Sequence, residues 1–394
     1  MANSFSNLLS QPLAGRVVLV RVDFNVPLVD GVVSDDTRIK ASLPTINALL
    51  KAEAKVVLLA HLKRPDGQVV DSLRLNPIRD SLEQLLQQSV YKLDECVGDG
   101  VQAAITGMAN GQVLLLENIR FYAEEMANDA SFSEQLADCA DYFVQDAFGV
   151  VHRAHASTVG VAQRLPSFSG VLLETELRYL GDMVSSPARP FVAIVGGSKI
   201  STKLLVLKQL IQRVDSMVLG GAMVYTLLKA KGVPVGASLV EDSLLDEARL
   251  FLDVVDDLNK DLYLPVDHRV VQAFDQPDTL RIIDSNGFAD SDIGIDIGPA
   301  SVAHIETLIQ SAKSVFWNGP VGVFETKAYA NGTNSIAQFL AESDATTIVG
   351  GGDSIAAINQ SGYADRIHHI STGGGASLEF LEGKTLPGIS VLHE

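Results

Sequence analysis

Short apolar runs rich in β-branched residues recur along the chain, and amphipathic stretches separate them. Uninterrupted runs of this length are typical of strands buried on both faces of a parallel sheet, and apolar residues at helical spacing are typical of the covering helices. The pattern therefore predicts an α/β protein whose parallel sheets carry helices on both faces. The predicted strands are 17–22, 56–60, 113–116, 142–146, 191–196, 216–220, 262–266, 314–317 and 346–350.

The first long helix is predicted to begin around Ser42 and Pro44, because proline is favoured in the first turn of a helix. Ile46, Leu49 and Leu50 then supply the apolar stripe that such a helix buries.

A chain of 394 residues is longer than a single hydrophobic core usually supports, which predicts two domains. Turn-rich segments, "LPSFSG" at 165–170 and "SSPARP" at 185–190, bracket a stretch with leucines at helical spacing. We therefore predict two Rossmann-like parallel-sheet domains, 1–170 and 171–379, joined by a hinge helix at about 171–185 that is counted with the second.

Charge and composition narrow the function classes. The formal net charge of −18 argues against a general nucleic-acid or anionic-membrane surface, so any bound anion must be held by a local cluster. We expect no signal peptide and no membrane span, because the chain has neither a basic start before an apolar region nor about 20 successive apolar residues. Cys96 and Cys139 form no CxxC motif and are expected to be reduced thiols of a cytosolic protein.

Arginine follows or ends four consecutive predicted strands in the first half of the chain. Ligands bind beyond the carboxyl ends of parallel strands, so these side chains should meet at one edge of a sheet. One such arginine is ordinary, but four suit a small ligand with more than one phosphate or carboxylate, while Asp23 with Asn25 suits a ligand hydroxyl. The four groups are Arg21, Asp23 and Asn25 with Arg38; His61, Lys63 and Arg64; Glu117, Asn118 and Arg120; and His152, Arg153 and His155.

Glycine-rich turns follow the predicted strands of the second half: "GGSKISTK", "GGAMVYTLL", "NGPVGVFE", "GGDSIAAI" and "STGGGASLEF". Glycine lets backbone N–H groups approach an anion at a helix N-terminus, so the repetition indicates a nucleotide or polyphosphate. Lys199 and Lys203 are spaced to lie on one face of a helix, within reach of a phosphate chain. Asp353 either holds Mg²⁺, directly or through water, or is a plain helix cap. Glu325 either accepts ribose hydroxyls or begins the next helix.

Several motifs are absent from the sequence. It has no GxxxxGK[ST], no GxSxG and no complete GxGxxG, which disfavours a P-loop enzyme, covalent catalysis through a serine and an NAD-dependent dehydrogenase. His152 and His155 have no third partner at metal-binding spacing. A non-catalytic hinge-bending binding protein would not need lysines and glycine turns opposite an arginine cluster.

In this order the motifs closely resemble the phosphoglycerate kinase family, of the bacterial type. The matching stretches cover nearly the whole chain: "RVDFNVP", "HLKRP", "ENIRFY", "DAFGVVHRAHAST", "GGSKISTK", "NGPVGVFE", "GGGDS" and "STGGGASLEFLEGKTLPG". The resemblance implies reversible phosphoryl transfer between 1,3-bisphosphoglycerate and Mg-ADP, giving 3-phosphoglycerate and Mg-ATP. It also implies a glycerate-binding first domain that includes a C-terminal tail, 380–394, and a nucleotide-binding second domain. A cytoplasmic monomer without nucleic-acid or membrane partners is expected.

Site residues follow from the resemblance, position by position. The implied substrate-binding residues are Asp23, Phe24, Asn25, Arg38, His61, Leu62, Lys63, Arg64, Arg120 and Arg153. The implied nucleotide-binding residues are Lys199, Lys203, Asn318, Glu325, Gly351, Gly352, Asp353 and Ser354, with Mg²⁺ on Asp353. Lys63 departs from the family, in which glycine is frequent at this position.

The expected mechanism is in-line transfer without a general base, because the acceptor oxygen is already ionised. Arg38, Lys199 and the helix N-termini at Gly352 and Gly374, the latter opened with Gly373, are expected to offset charge on the transferred group. Closure of the hinge would bring the two ligands together and exclude water.

Overall fold

The computed structural model describes residues 3–393. It divides into two compact units: the first unit is Met1–Arg178 with Thr385–Glu394, and the second unit is Tyr179–Lys384. Both are α/β units with an all-parallel main sheet, which agrees with the predicted fold class.

The first unit is built around a six-stranded sheet of order β5-β6-β4-β1-β7-β8, in which all neighbours are parallel. Its central strands are apolar without alternation, because helices cover both faces. A small antiparallel hairpin, β2-β3, lies outside this sheet. The strands are β1 (Val17–Arg21), β2 (Leu28–Val29), β3 (Val32–Val33), β4 (Lys55–Leu59), β5 (Val90–Lys92), β6 (Val113–Leu115), β7 (Tyr142–Gln145) and β8 (Ser167–Ser169).

Helices accompany these strands, and the longer ones, such as those that begin at Thr37 and Asn76, bury apolar side chains. They are α1 (Phe5–Leu9), α2 (Thr37–Lys51), α3 (Asn76–Leu86), α4 (Asp99–Gly107), α5 (Ala123–Met126), α6 (Ala130–Ala137) and α7 (Val171–Ser185). Short 3-10 turns lie at Asp71–Leu73, Ile119–Phe121 and Phe148–Val150, and a π turn lies at Ala156–Gly160.

Helix α2 begins well before the predicted start around Pro44, so that prediction was wrong. Thr37 N–H donates to Asp35 Oδ1 at 2.9 Å and opens the helix. Ile39 is the one apolar residue that its first two turns bury. These turns therefore show no apolar periodicity in the sequence. Pro44 lies on the exposed side in mid-helix, where the missing N–H is least costly.

The segment 165–170, predicted to be a turn-rich break, contains the edge strand β8. Ser167 and Ser169 are buried because their hydroxyls are bonded: Ser167 Oγ donates to Leu165 O at 2.8 Å, and Ser169 Oγ donates to Glu174 Oε1 at 2.7 Å. Serines whose hydroxyls are hydrogen-bonded can be buried in a strand in place of apolar residues. The segment therefore lacks the apolar run by which strands are predicted from sequence.

The second unit has its own six-stranded parallel sheet, of order β11-β10-β9-β15-β16-β17. Numbered within the sheet, this is the 3-2-1-4-5-6 order of dinucleotide-binding domains. A separate antiparallel sheet, β13-β12-β14, was not predicted. The strands are β9 (Phe191–Val195), β10 (Ser216–Leu219), β11 (Asp261–Tyr263), β12 (Asp267–Val271), β13 (Arg281–Asp284), β14 (Ile293–Ile297), β15 (Ser314–Asn318), β16 (Thr346–Gly350) and β17 (His369–Ser371).

Helices of the second unit alternate with these strands. They are α8 (Leu204–Leu210), α9 (Met223–Ala230), α10 (Leu245–Asp257), α11 (Pro299–Ser311), α12 (Asn331–Glu342), α13 (Gly352–Ser361) and α14 (Gly375–Leu381). The 3-10 turns are Ile200–Thr202, Asp242–Leu244, Pro277–Thr279, Lys327–Tyr329 and Ala364–Arg366. The predicted strand 262–266 is too long: β11 ends at Tyr263, since Pro265 has no N–H to donate to a ladder.

The C-terminal segment, α15 (Pro387–Ser390) with a 3-10 turn at Val391–His393, falls in the first unit. Gly388 N–H donates to Val151 O at 2.9 Å. A Cβ at Gly388 would lie 3.0 Å from Val151 Cα, so this close approach favours glycine.

The division between the units passes through α7 and differs from the predicted boundaries after 170 and 379. The start of α7 belongs to the first unit because it is bonded there. Val171 N–H donates to Thr45 Oγ1 and Leu172 N–H donates to Asp146 Oδ1, both at 2.9 Å. No helix within residues 3–393 has both the length and the apolar composition needed to cross a bilayer.

Candidate active site in two halves

Each main sheet reverses its strand order at one point, between β1 and β7 in the first unit and between β9 and β15 in the second. Open α/β sheets bind ligands outside the carboxyl ends of the strands at such a point. Asp23 and Asn25 follow β1, and Asn318 ends β15. The fold therefore provides one candidate half-site in each unit.

Hydrogen bonds join the segments that follow β1, β4 and β6. Arg38 Nη1 donates to Asp23 Oδ2 at 2.8 Å. Asn25 Oδ1 accepts from Lys63 N–H at 2.9 Å, and Lys63 O accepts from Arg120 Nη1 at 2.8 Å. The structure thus brings together Asp23, Asn25, Arg38, Lys63 and Arg120, which the sequence had predicted for one site.

Asp23 serves mainly to hold Arg38. Its carboxylate is buried, whereas the Arg38 side chain in the first turn of α2 keeps 30% of its surface exposed. A carboxylate that fixes one nitrogen of a guanidinium leaves the other donors of that fork for a ligand. Arg38 is therefore pre-oriented at the mouth of the first sheet.

His61 is a buried, neutral donor in this cluster. Burial, reinforced by Arg21, Arg120 and two further arginines, holds the pKa of His61 well below its usual range. Arg21 Nη2 lies 3.2 Å from His61 Nδ1, and a guanidinium can only donate. Nδ1 therefore accepts, and Nε2 carries the proton that can be offered to an anion.

Arg21, expected to bind an anion, is wholly buried and serves instead as an internal support. Its Nε donates to Ser157 Oγ at 2.8 Å, and its Nη1 donates to Val22 O at 2.5 Å. Burial lowers the pKa of Arg21, an effect that Glu125 opposes. The expectation was wrong because Arg21 is the last residue of β1 and lies within the sheet, whereas Asp23 and Asn25 lie beyond its end.

Glu125 completes the support beneath the cluster, and its role was not predicted. It accepts from Ser157 N–H at 2.8 Å and from Ser157 Oγ at 2.7 Å, and His155 Nδ1 lies 3.5 Å from Glu125 Oε1. Burial works to raise the pKa of Glu125, but the bonds from His155 and Ser157 and the charge of Arg21 leave it lowered. Glu125 therefore stays ionised and fixes Arg21.

Arg120 carries an unmet hydrogen-bonding capacity. Its side chain is buried, and its Nε–H has no partner. Burial, together with the charges of Arg21 and Arg153, lowers the pKa of Arg120 to about 10. A buried donor without a partner is costly, so an anion that accepted from Arg120 would relieve two unfavourable effects at once.

Other predicted residues of the first half-site lie at its edge or beneath it. Phe24 and Leu62 are packed in the core, so only their backbone groups can reach a ligand. Arg153 donates from Nε to His152 Nε2 at 3.1 Å and acts on the cluster through its charge. Lys63 and Arg64 have exposed side chains.

In the second unit, Lys203 is half-buried and its Nζ donates to Asn318 Oδ1. Asn318 Nδ2 in turn donates to Gly350 O at 2.8 Å, and Gly319 N–H donates to Ser354 Oγ at 2.5 Å. These bonds tie the ends of β15 and β16 to the segment that follows β9. Burial lowers the pKa of Lys203, against the opposing charge of Asp353.

The prediction that Lys199 and Lys203 lie on one face of a helix was wrong. A 3-10 turn, Ile200–Thr202, separates them, and α8 begins only at Leu204. Lys199 precedes the turn and is exposed. Gly196 lies just before this segment, and a Cβ there would lie 2.0 Å from Pro320 O, so this close approach favours glycine.

The glycines predicted at helix starts are where they were expected. Gly351 is the N-cap of α13 with φ 94°, and Gly352 opens the helix with open space around it. Asp353 is therefore not the cap: it lies exposed in the first turn. Gly374, with φ 53°, caps α14.

An apolar cavity of about 400 Å³ lies beside these turns within the second unit. Residues of the glycine turns line it, together with Glu325 and Asp353. Its apolar side chains were not predicted: Tyr225, Leu239, Phe274, Ile293, Ile295, Val321 and Val323. Phe274 and Leu239 are exposed.

Among the described residues, 3–393, no group of three or more His, Cys, Asp or Glu side chains is placed to hold a metal ion. Mg²⁺ is commonly bound by one or two carboxylates together with phosphate oxygens. Asp353, a single exposed carboxylate beside glycine turns, fits a magnesium ion that arrives with a polyphosphate.

A family model described as phosphoglycerate kinase matches residues 9–384. The chain belongs to the phosphoglycerate kinase family. This kinase is 50% identical to the phosphoglycerate kinase of Microcystis aeruginosa, over 99% of this chain and 98% of the relative. It is 49% identical to that of Rippkaea orientalis, over 99% of both chains.

Solved structures agree with this assignment. The kinase matches phosphoglycerate kinase from Coxiella burnetii with a TM-score of 0.89 at 37% identity, over 100% of this chain and 99% of that one. It matches the enzyme from Pyrococcus horikoshii with a TM-score of 0.88 at 31% identity, over 99% and 98%. The family resemblance, the fold class and the assignment as an enzyme are therefore confirmed. The protein is a kinase of glycolysis with small-molecule substrates, one of them a nucleotide.

Proposed function

We propose that the enzyme transfers a phosphoryl group reversibly between 1,3-bisphosphoglycerate and Mg-ADP, giving 3-phosphoglycerate and Mg-ATP. The observation that carries this proposal is the contrast between the half-sites. One is a cluster of guanidinium groups with an unpaired buried donor, and the other is an apolar cavity bordered by glycine turns and a lysine. The first suits a small ligand with several negative charges, and the second suits a base joined to phosphates.

The glycerate is bound in the first unit. Arg120 Nε–H and the Nε2–H of neutral His61 donate to its anionic groups, with Arg153 and Arg64 adding charge. Asn25 Nδ2 can donate to the ligand while its Oδ1 stays on Lys63 N–H. Asp23, committed to Arg38, positions that arginine rather than binding phosphate. Phe24 and Leu62 contribute backbone groups.

The nucleotide is bound in the second unit. The adenine base enters the apolar cavity against Phe274, and Glu325, which also lines the cavity, accepts ribose hydroxyls. Lys203, Asn318 and the backbone of Gly351 to Ser354 lie along the phosphates. Lys203 is suited to this role because burial lowers its pKa by disfavouring the charged form, an effect that a nearby phosphate would offset.

Transfer itself requires charge neutralisation more than covalent chemistry. Arg38 and Lys199 donate to the oxygens of the transferred group, and the N-termini of α13 at Gly352 and of α14 at Gly374 present backbone N–H groups. Mg²⁺ held by Asp353 and the nucleotide would offset phosphate charge. No general base is needed, because the attacking oxygen is already ionised.

The two ligands are assigned to different compact units, and transfer requires donor and acceptor to meet. We propose that α7, through which the division passes, takes part in this closure, which also excludes water from the acyl phosphate. Small-angle scattering should then report a more compact molecule with both ligands than with either alone. An unchanged curve in the ternary mixture would contradict closure.

The test of the reaction is a coupled assay. Purified protein, Mg-ATP and 3-phosphoglycerate are mixed with excess glyceraldehyde-3-phosphate dehydrogenase and NADH, and loss of NADH is followed. Loss that requires the protein and both substrates, and that disappears in Arg38→Ala and Lys199→Ala, supports the reaction. No loss, with ATP binding intact by calorimetry, would contradict the glycerate half-site. We further propose a cytoplasmic monomer, which sedimentation of the purified enzyme tests.

A further inference from the structure

Lys63 holds an unusual backbone conformation at the edge of the first half-site. Its φ is 55°, in the left-handed region where a side chain is strained and glycine is not. Among the other non-glycine residues with positive φ, Gln87 is the C-cap of α3, Asn259 follows α10, and Asp66 belongs to the same segment as Lys63. A strained residue at a functional site is a reason to look for a function of its side chain.

The peptide groups of Lys63 are held from both sides. Its N–H donates to Asn25 Oδ1 at 2.9 Å and its carbonyl accepts from Arg120 Nη1 at 2.8 Å. These two bonds fix the backbone whatever the side chain is, so they do not explain a lysine. They do place the Cα atom of Lys63 between two residues of the half-site, with an exposed side chain.

The ammonium group of Lys63 is therefore close enough to act on a ligand held there. It is carried on a flexible four-carbon stem, and screening at physiological ionic strength acts over about 8 Å. The chain has a net charge of −18, which repels anions at long range. The buried anion of the cluster, Asp23, is already paired with Arg38, so an added cation is not neutralised by it.

We propose that Lys63 is an affinity-determining residue for the anionic substrate of the first unit, acting through its charge rather than through a fixed hydrogen bond. This inference rests on the proposed function, because it takes the ligand to be a phosphorylated glycerate. The positive charge offsets repulsion by the acidic chain and favours binding of the ligand over that of less charged acids. It does not take part in the transfer step.

The experiment compares KM for 3-phosphoglycerate in four variants, at low and at high salt. Lys63→Met keeps the side-chain length and removes the charge, Lys63→Arg keeps the charge, and Lys63→Gly removes both the charge and the strain. Lys51→Met is the matched control: Lys51 is exposed at the far end of α2, about 20 Å along the axis from Arg38.

We expect Lys63→Met and Lys63→Gly to raise KM for 3-phosphoglycerate about threefold to tenfold at low salt, with kcat and the KM for ATP unchanged. The ratio to wild type should fall below about twofold at about 1 M salt, where screening acts over about 3 Å. Lys63→Arg and Lys51→Met should match wild type at both salt concentrations.

Two results would overturn the proposal. One is a KM in Lys63→Met that equals the wild-type value at low salt. The other is a KM in Lys63→Arg as high as in Lys63→Met, which would mean that side-chain shape matters and charge does not. If the wild-type enzyme shows no turnover, the proposed function fails instead, and calorimetric titration of 3-phosphoglycerate into the same variants still decides the role of Lys63.

Discussion

The two half-sites are built on the same kind of sheet but by opposite means. In the first unit, buried polar and charged side chains fix one another: Glu125 holds Arg21 through Ser157, Arg21 contacts His61, and Asp23 holds Arg38. In the second unit, glycine turns and an apolar cavity provide the site, and Lys203 is bonded to a neutral amide. The first is a preformed set of donors, and the second is a preformed shape.

This difference agrees with the ligand that we propose for each half-site. A small polyanion offers only charge and hydrogen-bond acceptors, so it needs several positioned cations, and these need buried anions beneath them. A ligand with a planar base offers apolar surface as well, so close backbone approach and a cavity can supply most of the binding. We therefore expect the first half-site to be sensitive to charge and the second to shape.

The largest effect is expected from Arg38→Ala, which removes a cation from the transferred group. We expect kcat to fall about 10³-fold, with a smaller rise in KM for 3-phosphoglycerate. The coupled assay measures both constants, and Arg16→Ala, at the other end of β1, serves as the control with unchanged kinetics. A raised KM with wild-type kcat would remove Arg38 from the transfer step.

Arg21→Met should be the most destabilising change in the first half-site. It leaves the buried Glu125 without its cation, a loss that we expect to cost about 3 kcal/mol in the free energy of unfolding. Urea unfolding followed by circular dichroism measures it. Trp317 is buried in the second unit and is the one tryptophan of the sequence, so its fluorescence shows whether the loss is confined to the first. Unchanged stability would mean that the buried network does not support the cluster.

Lys203→Met removes the half-buried positive charge of the second half-site. We expect KM for ATP to rise about tenfold to a hundredfold, the value of a charge-assisted hydrogen bond, with KM for 3-phosphoglycerate unchanged. Lys208→Met, on the helix α8 that follows Lys203, is the control. An equal rise for both substrates would argue that the half-sites are not separate.

A pH dependence of stability is expected from Asp296 in the second unit. Burial raises the pKa of Asp296 to about 7, whereas in the unfolded chain it is about 3.9. Between these values the folded state keeps a proton that the unfolded state has released, so stability falls as pH rises towards 7. Asp296→Asn keeps the acceptor for Gly332 N–H and should gain about 2–3 kcal/mol on wild type between pH 5 and pH 8, at about 1.4 kcal/mol for each pH unit below the folded pKa.

Trp317 fluorescence during urea unfolding at each pH measures this gain. Asp146→Asn is the counterpart in the first unit: burial raises the pKa of Asp146 to about 8, so its gain should continue to a higher pH. Parallel curves for wild type and Asp296→Asn at all pH values would show that Asp296 does not titrate in this range.

The smallest effect is expected from Phe274→Ala, which tests shape. Loss of a stacking face should raise KM for ATP about fivefold and leave KM for 3-phosphoglycerate unchanged. The backbone carbonyl of Phe274 would still accept from Tyr329 Oη at 2.9 Å, so the loop should stay in place. Ile282→Ala, another exposed apolar residue of the second unit, is the control. No change in Phe274→Ala would place the base elsewhere.

Sequence reasoning was most successful where parallel sheets constrain the chain. Residues that follow different strands meet at one edge, so Asp23, Arg38, Asn25 and Arg120 could be grouped from their positions after the predicted strands. It failed where a tertiary contact replaces a periodic pattern. Arg21 gives no sign in sequence that it lies within the sheet, and Pro44 gives no sign that α2 has already begun.

For the second half-site, the glycine turns of the backbone were predicted from the sequence, whereas the apolar cavity was not. Glycine turns are visible in sequence because positive φ and close approach restrict the residue type, as at Gly351. Phe274 lies in a connecting segment between β12 and β13, where an apolar residue has no period to mark it. Lys63 departs from the family in sequence, but only its backbone angle shows that it is strained.

The central claim is that each unit binds its own substrate, the first by charge and the second by shape. Calorimetric titration tests it most directly, with 3-phosphoglycerate and Mg-ATP each titrated into Arg120→Met and Lys203→Met. We predict that Arg120→Met loses affinity for 3-phosphoglycerate and keeps that for Mg-ATP, and that Lys203→Met does the reverse. Loss of both affinities in either variant, with the protein folded by circular dichroism, would contradict the account.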